Sequence, residues 1–360
     1  MSNKLNMINW IQSVGQGQGY SGAGENSILA LEELGIDVRL MGFSNVPKKN
    51  LTKKGLEIKK KPFIMAQVGV TFGFPNAFSS MNNPIKIGYT EWETDKFPSI
   101  PCDWAGPEGN AVKIINNLDM LWVACNHNKR LFERAGVKIP IEVVPHGVNP
   151  EQYPLIIRPK RKTFTFLMLG TLTSRKDPGR VLSAFIDLFK DNMDVRMVFK
   201  TQSGVMGHIE LPYKNVDIID RSATMEEMEG YYRNADCFVF PSRGEGFGLP
   251  PVEAMATGLP TIFTETTGMN DYADERYNYP VSVARKEKVS RYPRRWGDVG
   301  NWDICDFEDL KRKMKYVVEH REEAYKKGIE ASKWVHKNWT FKNSAEKMIK
   351  LIEGLIENRR

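Results

Sequence analysis

At 360 residues, with 41% hydrophobic and 26% charged residues, the chain is long enough for two domains and too apolar for extended disorder. A net charge of +7 favours an anionic partner. No apolar run approaches the roughly 18–20 residues of a membrane-spanning helix, and the start, "MSNKLNMINWIQSV", lacks the apolar block of a secretory signal, so a cytoplasmic protein is expected.

In chain order, "LNMINWIQSVG" predicts a strand, "ENSILALEELG" a helix with Gly35 as its C-cap, and "DVRLMGF" a second strand. "FIMAQVGVTF", "IKIGYTEW", "MLWVAC" and "IEVVPHGV" read as further strands, with "NKRLFERAG" as a helix among them. Proline and charge in "NPEQYPLIIRPKRK" (residues 149–162) mark an interdomain connection. The alternation then resumes with strand "TFTFLMLG", helix "PGRVLSAFIDLFK" and strands "VRMVFKT" and "VDIID". Helix "TMEEMEGYYRNA", strand "CFVFPS", helix "PPVEAMATG" and strand "PTIFT" follow, and the chain from residue 307 onward is mostly helical. Strands alternating with helices predict a parallel sheet covered on both faces, here twice over. Ligands bind at the carboxyl ends of such strands. The two halves share an architecture but not a sequence, so they are not an internal repeat.

Cys102, Cys125, Cys237 and Cys305 stand far apart, which fits neither a zinc site nor a disulfide framework. There is no Asp-x-Asp to hold a divalent ion against a diphosphate, so no metal and no cofactor are expected. Positive charge concentrates in "PKKNLTKKGLEIKKKPF" (residues 47–63) and "RKEKVSRYPRRW" (residues 285–296). Both read as solvated loops. The second, with Tyr292 and Trp296, also suits a nucleic-acid or sugar-phosphate surface.

Chemistry concentrates at two junctions. In "LGTLTSRKDPGRVLSAF", Arg175 and Lys176 lie between a strand and a helix whose first turn takes Pro178, a favourable place for phosphate oxygens. In "PSRGEGFGLPPVEAMATG", Gly244, Gly246 and Gly248 let the backbone approach a ligand, and Pro250 and Pro251 start a helix with Glu253 in its first turn. Free N–H groups at that helix start can bind a diphosphate, while Glu245 and Glu253 can accept hydrogen bonds from neutral hydroxyls. A purely structural Glu253 would merely complement the helix dipole.

"PSRGEGFGLPPVEAMATGLPTI" resembles the E-x7-E signature of glycosyltransferase family 4, retaining enzymes of the GT-B fold. "GTLTSRKDPGRVLSAF" is similar to that family's pyrophosphate loop, "VVPHGVNPEQY" to its interdomain segment and "WTFKNSAEKMIKLIE" to its closing helices. The resemblance implies an α/β chain with two Rossmann-like doubly wound domains facing across a cleft. Its expected domains are an acceptor domain over residues 1–152, a nucleotide-sugar donor domain over residues 153–340, and a C-terminal helix over residues 341–360 that packs back towards the first.

Carried over by position, Glu253 would bind the donor ribose and Glu245 the hydroxyls of the transferred sugar. The backbone of Gly246, Phe247, Gly248 and Leu249 would approach the sugar and diphosphate, and Lys176 would neutralise the diphosphate. Thr171 stands where the family usually has an arginine, and Arg175 is the candidate to supply that charge. The turn at Asp220 and Arg221 would hold the nucleobase. "SVGQGQGYSGAGENS" resembles the family's glycine-rich loop, with Gly15, Gly17 and Gly19 crossing near the phosphates. "GYTEWETDKFP" resembles a segment of one branch of the family, making Glu91 and Glu93 acceptor-side candidates. The loop "VTFGFPNAF" lacks the family's usual histidine, which leaves His127 and His146 as alternatives.

The reaction implied is a retaining, metal-independent sugar transfer from a UDP- or GDP-sugar to an acceptor hydroxyl. Glu245, Lys176 and Arg175 carry the chemistry, and the departing phosphate takes the acceptor proton. A glycan or lipid-linked glycan is the expected acceptor. The net charge of +7 motivates a second, a hydroxymethylated base in DNA. A non-catalytic nucleotide-sugar or nucleic-acid binding protein is the alternative of another class. The absence of a G-x-x-x-x-G-K-[ST] string, and of an acidic residue ending the second strand, argues against kinase and dehydrogenase readings.

Overall fold

Contiguous β-branched and aromatic runs, too short for buried helices, build two separate sheets in this computed structural model, which describes residues 5–12, 18–42, 52–98, 110–201, 211–290 and 297–359. The chain divides into two units: Met1–Gly147 with Val289–Gly300 and Thr340–Arg360, and Val148–Lys288 with Asn301–Trp339.

The sheet of the first unit is six-stranded, with β1 (Met7–Gln12), β2 (Asp37–Gly42), β3 (Val68–Phe72), β4 (Ile85–Thr90), β5 (Met120–Val123) and β6 (Ile141–Val143) in the order β2-β1-β3-β4-β5-β6. Every neighbouring pair is parallel. All residues of β3 and β5 are buried, as a sheet covered on both faces requires. Helix α1 (Gln18–Glu33) packs against the last helix of the chain, α10 (Phe341–Glu357), and Gly35 takes φ 86° to end α1.

Two stretches of this unit differ from the sequence expectation. The strand anticipated from Phe63 begins only at Val68, because the buried Asn9 side chain takes the backbone groups that a ladder would use. Its Nδ2 donates to Ile64 O at 2.9 Å, and its Oδ1 accepts from Ala66 N at 2.8 Å. The basic run at residues 47–63, read as a loop, contains helix α2 (Lys53–Lys60). Thr52 caps it by accepting from Gly55 N at 3.0 Å, and Glu25 Oε1 in turn accepts from Thr52 N and Oγ1 at 2.7 and 2.6 Å. Lysine is a good helix former, and Ile58 supplies the buried contact.

The sheet of the second unit has six parallel strands: β7 (Phe164–Leu169), β8 (Val195–Thr201), β9 (Val216–Asp220), β10 (Cys237–Phe240), β11 (Thr261–Thr264) and β12 (Tyr279–Val281). Their order is β12-β11-β10-β7-β8-β9, and every pair is parallel. Helices α5 (Pro178–Phe189), α6 (Met225–Asn234), α7 (Leu249–Ala256), α8 (Phe307–Glu319) and α9 (Arg321–Asn338) complete it. Phe166, Phe185, Met197, Val239 and Met314 join in one core. A Cβ on Gly328 of α9 would stand 2.4 Å from Gly258 O, so α9 approaches the end of α7 only through glycine.

An antiparallel hairpin, β13 (Val283–Lys288) with β14 (Asn301–Cys305), belongs to the second unit, while Val289–Gly300 between its strands belongs to the first. The other basic run, also read as a loop, is therefore strand over residues 285–288, and residues 291–296 lie outside the described ones. The fold class read from the sequence is borne out: two parallel, six-stranded, Rossmann-like sheets.

Candidate active site

In the second sheet the strand order reverses between β7 and β10, so the connections leaving these two neighbours run in opposite directions and open a crevice at their carboxyl ends. The two sequence junctions meet there. The turn after β7 carries Arg175 and Lys176 into α5; the turn after β10 carries residues 242–248 into α7.

Glu245 is the centre of the arrangement. Its Oε1 accepts from Lys176 Nζ at 2.6 Å and lies 2.9 Å from Arg175 Nη1, with the Ser242 hydroxyl on the same oxygen. Its Oε2 accepts no hydrogen bond from the described residues. Burial pushes this carboxyl up, but Arg175 and Lys176 beside it, with the hydrogen bonds from Lys176 and Ser242, bring it down to about 2. It is therefore a permanent anion at neutral pH. The Lys176 ammonium also lies 4.6 Å from the centre of the Phe240 ring, which limits its solvation from one side.

The surrounding turns are tied together by backbone. Arg243 N donates to Arg175 O at 2.8 Å, and Arg175 Nη1 to Gly244 O at 2.6 Å. From the turn after β11, Thr267 Oγ1 accepts from Glu245 N at 2.8 Å, while Gly268 N donates to Glu245 O at 3.0 Å. Asp177 and Thr267 both sit in the left-handed region, at φ 53° and 45°, strain of about 1–3 kcal/mol each of the kind that clusters at working sites. Asp177 is held there by its carboxylate, whose Oδ2 accepts from Arg180 Nε at 3.0 Å and Arg243 Nε at 2.9 Å.

Gly248, at φ 91°, caps α7. The helix begins at Leu249, before Pro250 and Pro251, so Glu253 is its fifth residue and not part of the first turn as the sequence suggested. The prolines fit inside the first turn because N–H groups there have no partner within the helix. Tyr232 Oη donates to Glu253 Oε2 at 3.1 Å, and Tyr153 donates to the same carboxylate. Burial lifts the Glu253 carboxyl above its ordinary value, against the two tyrosine hydrogen bonds that pull it down. The Phe247 side chain is buried and meets Tyr272 and Trp339 at ring separations of 5.6 and 5.9 Å, so only its backbone can reach a ligand.

Residues 153–281 match the family described as glycosyl transferases group 1. The matched residues lie within the second unit and include Lys176, Glu245 and Glu253. Relatives of the chain include the lipopolysaccharide core biosynthesis mannosyltransferase LpsB of Rhizobium meliloti, 30% identical over 157 residues that cover 38% of this chain and 44% of that protein. The serotype-specific mannosyltransferase WbdA of Escherichia coli is 26% identical over 145 residues, 38% of this chain and 18% of WbdA. The chain thus spans less than half the length of either. The uncharacterized glycosyltransferase 335 of Sulfolobus islandicus rod-shaped virus 1 is 26% identical over 272 residues, covering 70% of this chain and 78% of that one. Among solved structures, sucrose-phosphate synthase from Thermosynechococcus elongatus superposes with a TM-score of 0.66 at 13% identity, covering 98% of this chain and 100% of that one. Anabaena Alr3699/HepE in complex with UDP-glucose gives 0.66 at 13% identity, covering 97% and 99%. These likenesses are of fold.

Other sequence candidates lie apart from this cluster. Thr171 is exposed, and its carbonyl accepts from Thr173 N. Arg221, after β9, pairs with Glu227 at 2.7 Å. The nearby Lys200, which sequence reasoning missed, is buried with its ammonium on Thr201 O at 2.7 Å and on Arg221 O. Gly19 is exposed and helical in α1, while Gly15 and Gly17 lie outside the described residues. No helix among the described residues is long and apolar enough to cross a membrane, and no group of three or more His, Cys, Asp or Glu among them could hold a metal ion.

In the first unit, the segment after β4 is fixed by helix α4 (Asn126–Arg134). Asn128 Oδ1 accepts from Trp92 N at 2.8 Å and Nδ2 donates to Trp92 O at 2.7 Å, while His127 Nε2 lies 2.9 Å from Thr94 O. His127 thus braces backbone. Glu93 is half-buried, and Glu91 Oε1 lies 3.1 Å from His146 Nε2. Asn128, Ser242, Thr267 and the two tyrosines carried no signal of their own in the sequence, since each becomes a partner only through the fold.

Proposed function

We propose that the chain transfers a sugar from a nucleoside-diphosphate sugar to an acceptor hydroxyl, with retention of configuration and without a metal ion. The observation that carries this reading is Glu245: an ionised carboxylate at the β7–β10 reversal, gripped by Lys176 and Arg175 through one oxygen. A diphosphate brought to this turn meets two cations already oriented, and a sugar hydroxyl meets an anion with an oxygen still to offer.

Charge builds on the departing diphosphate as the anomeric bond stretches. Lys176, Arg175 and the Leu249 N–H at the start of α7 stabilise it, since they are in place before the reaction begins; Pro250 and Pro251 have no N–H to add. The acceptor oxygen bonds the anomeric carbon on the face the diphosphate leaves, and the acceptor proton passes to the departing phosphate oxygen. Glu245 acts in this scheme as a binding group and not as a nucleophile, because its salt bridges withdraw the electron density a nucleophile needs. Glu253, with Tyr153 and Tyr232, accepts from the ribose hydroxyls.

A glycan or lipid-linked glycan is the acceptor this reading favours. The names of relatives support it, among them LpsB and the UDP-Gal:alpha-D-GlcNAc-diphosphoundecaprenol alpha-1,3-galactosyltransferase of Escherichia coli, 27% identical over 146 residues. The test is a panel of UDP- and GDP-sugars screened by thermal shift. Transfer is then measured to methyl glycosides, to GlcNAc-diphosphoundecaprenol and to hydroxymethylated DNA. Stabilisation by a nucleotide sugar with transfer to a saccharide acceptor is expected. Transfer to DNA alone, with affinity falling steeply as salt rises, would replace the glycan with a modified base. No stabilisation by any nucleotide sugar would remove the reading.

A further inference from the structure

The proline- and charge-rich run at residues 149–162, to which the proposed reaction gives no part, buries one of its cations inside the second unit. Arg158 uses all five of its N–H groups on neutral oxygens. Nε and Nη2 donate to Tyr232 O at 3.3 and 3.1 Å, and Nη1 donates to Thr257 O and Ile156 O at 2.8 and 3.1 Å. Nη2 also donates to Thr257 Oγ1 at 3.0 Å. None of these partners is a carboxylate. Burial brings the guanidinium down to about 10, so it is still a cation at neutral pH.

Two of these oxygens are carbonyls that helices leave over. Tyr232 stands in the last turn of α6, and the N–H four residues on, that of Asp236, donates instead to Thr165 O at 2.8 Å. Thr257 is the residue that ends α7. A cation here also meets the negative ends of both helices.

The same two helices carry the phenol and the carboxylate of the candidate site, and the contacts close into a ring. Tyr232 Oη donates to Glu253 Oε2 at 3.1 Å, Thr257 N donates to Glu253 O at 3.2 Å, and Arg158 joins Thr257 O to Tyr232 O. Thr257 Oγ1, which accepts from Arg158, gives its own hydrogen to Ala254 O at 2.8 Å, beside Glu253. The Tyr232 ring is buried against that of Tyr153 at 5.9 Å, so its phenol cannot swing to follow a displaced carboxylate.

We propose that Arg158 is a positioning residue for the donor: by locking the ends of α6 and α7 together it keeps the Tyr232 phenol on Glu253, and so fixes the carboxylate that accepts from the ribose hydroxyls. The role rests on the glycosyl-transfer reading above, which gives Glu253 to the ribose. Arginine suits the position where lysine does not. Its planar fork spans both helix ends at once, whereas an ammonium offers three hydrogens from a single atom.

The test compares the unsubstituted chain with Arg158→Lys in calorimetric titrations of UDP, GDP and the same two diphosphates lacking both ribose hydroxyls. A role through Glu253 touches only the nucleotides that carry those hydroxyls, whereas a general loosening of the fold weakens both kinds. Arg158→Lys should weaken whichever of UDP or GDP binds by about tenfold, the loss of one oriented hydrogen bond, and leave its dideoxy analogue unchanged. In a Tyr232→Phe background the same substitution should add nothing. Equal weakening of both kinds, an undiminished preference for the ribose hydroxyls, or full additivity with Tyr232→Phe would each overturn the role.

An unsubstituted chain that binds neither diphosphate, or binds the dideoxy analogues as well, removes the ribose from Glu253 and with it the glycosyl-transfer reading of this group. The lock is then decided without ligand, by the carboxyl carbon shift of Glu253 in the isotope-labelled full chain. The Tyr232 hydrogen bond draws that carboxyl down, so Arg158→Lys should move its titration upward, as Tyr232→Phe does. No movement would overturn the lock. Should Arg158→Lys fail to fold, Thr257→Val takes its place: it removes one acceptor from the guanidinium and should shift both readouts in the same direction by less, and unchanged readouts would count against Arg158 in the same way.

Discussion

Lys176 Nζ lies 2.6 Å from Glu245 Oε1, joining a turn that follows β7 to one that follows β10 across 69 residues of sequence. In the proposed reaction this ammonium meets the charge that gathers on the departing diphosphate, so its removal should fall on the chemical step. Lys176→Ala is expected to lower kcat by about a hundred- to a thousand-fold, the cost of losing one oriented charge donor. Initial rates at saturating donor, with circular dichroism to confirm folding, check this. A rate within a few-fold of the original would remove Lys176 from the mechanism.

The same ion pair makes stability depend on acid. Glu245 is held at about 2 against an ordinary value of 4.5, so the unfolded chain binds the proton more readily. Its contribution is fully present above the ordinary value and is lost as pH falls from there towards about 2. Glu245→Gln should therefore unfold with a flatter dependence of Tm on pH across that acid window. Its Tm at neutral pH should also be lower, because Lys176 and Arg175 lose their counter-charge. Parallel Tm profiles for the two proteins would show that Glu245 does not titrate as the geometry requires.

Glu253 has the opposite sign. Its carboxyl is raised by burial, so the folded chain binds the proton more readily and is penalised wherever Glu253 is ionised. That penalty is present at neutral pH and fades as pH falls through the raised value. Glu253→Gln should raise Tm at neutral pH, with a gain that shrinks in acid, because an amide keeps an oxygen for Tyr232 without the buried charge. The variant should also bind a UDP- or GDP-sugar more weakly, since the charge lost is the one proposed for the ribose hydroxyls. A lower Tm at neutral pH would mean that the tyrosine bonds outweigh burial.

What the sequence made legible follows from what is local. The apolar run "FTFLML" could only be a buried strand, and Lys176 two residues before Pro178 could only stand at a helix start. The glycines and prolines before Glu253 announced a close backbone approach, although the helix starts one residue earlier than they suggested. The partners were not legible. Tyr232 reaches Glu253 from 21 residues away and His146 reaches Glu91 from 55, distances over which spacing carries no information. Charge runs misled for a physical reason: the long apolar stems of Lys53–Lys60 suit a helix as well as a loop, and the cap that decides between them, Thr52, depends on Glu25 of α1.

Gly248 tests whether the start of α7 is shaped for a ligand or merely for packing. At φ 91° it occupies a conformation that L side chains avoid, and a Cβ there would stand 2.4 Å from Tyr272 Oη and 2.9 Å from Met269 Cγ. The Tyr272 hydroxyl is not free to yield, because its one hydrogen is shared between Phe247 O and Gly248 O, at 3.1 and 2.9 Å. Gly248→Ala should thus cost at least about 1 kcal/mol of stability from backbone strain alone. Adding Tyr272→Phe removes the hydroxyl in the way and should recover part of that loss, but the strained backbone remains. If the Leu249 N–H after Gly248 holds the diphosphate, affinity for UDP or GDP should stay low in the double variant while Tm rises. Recovery of both together would assign the glycine to packing; loss of neither in Gly248→Ala would mean that the turn can open without consequence.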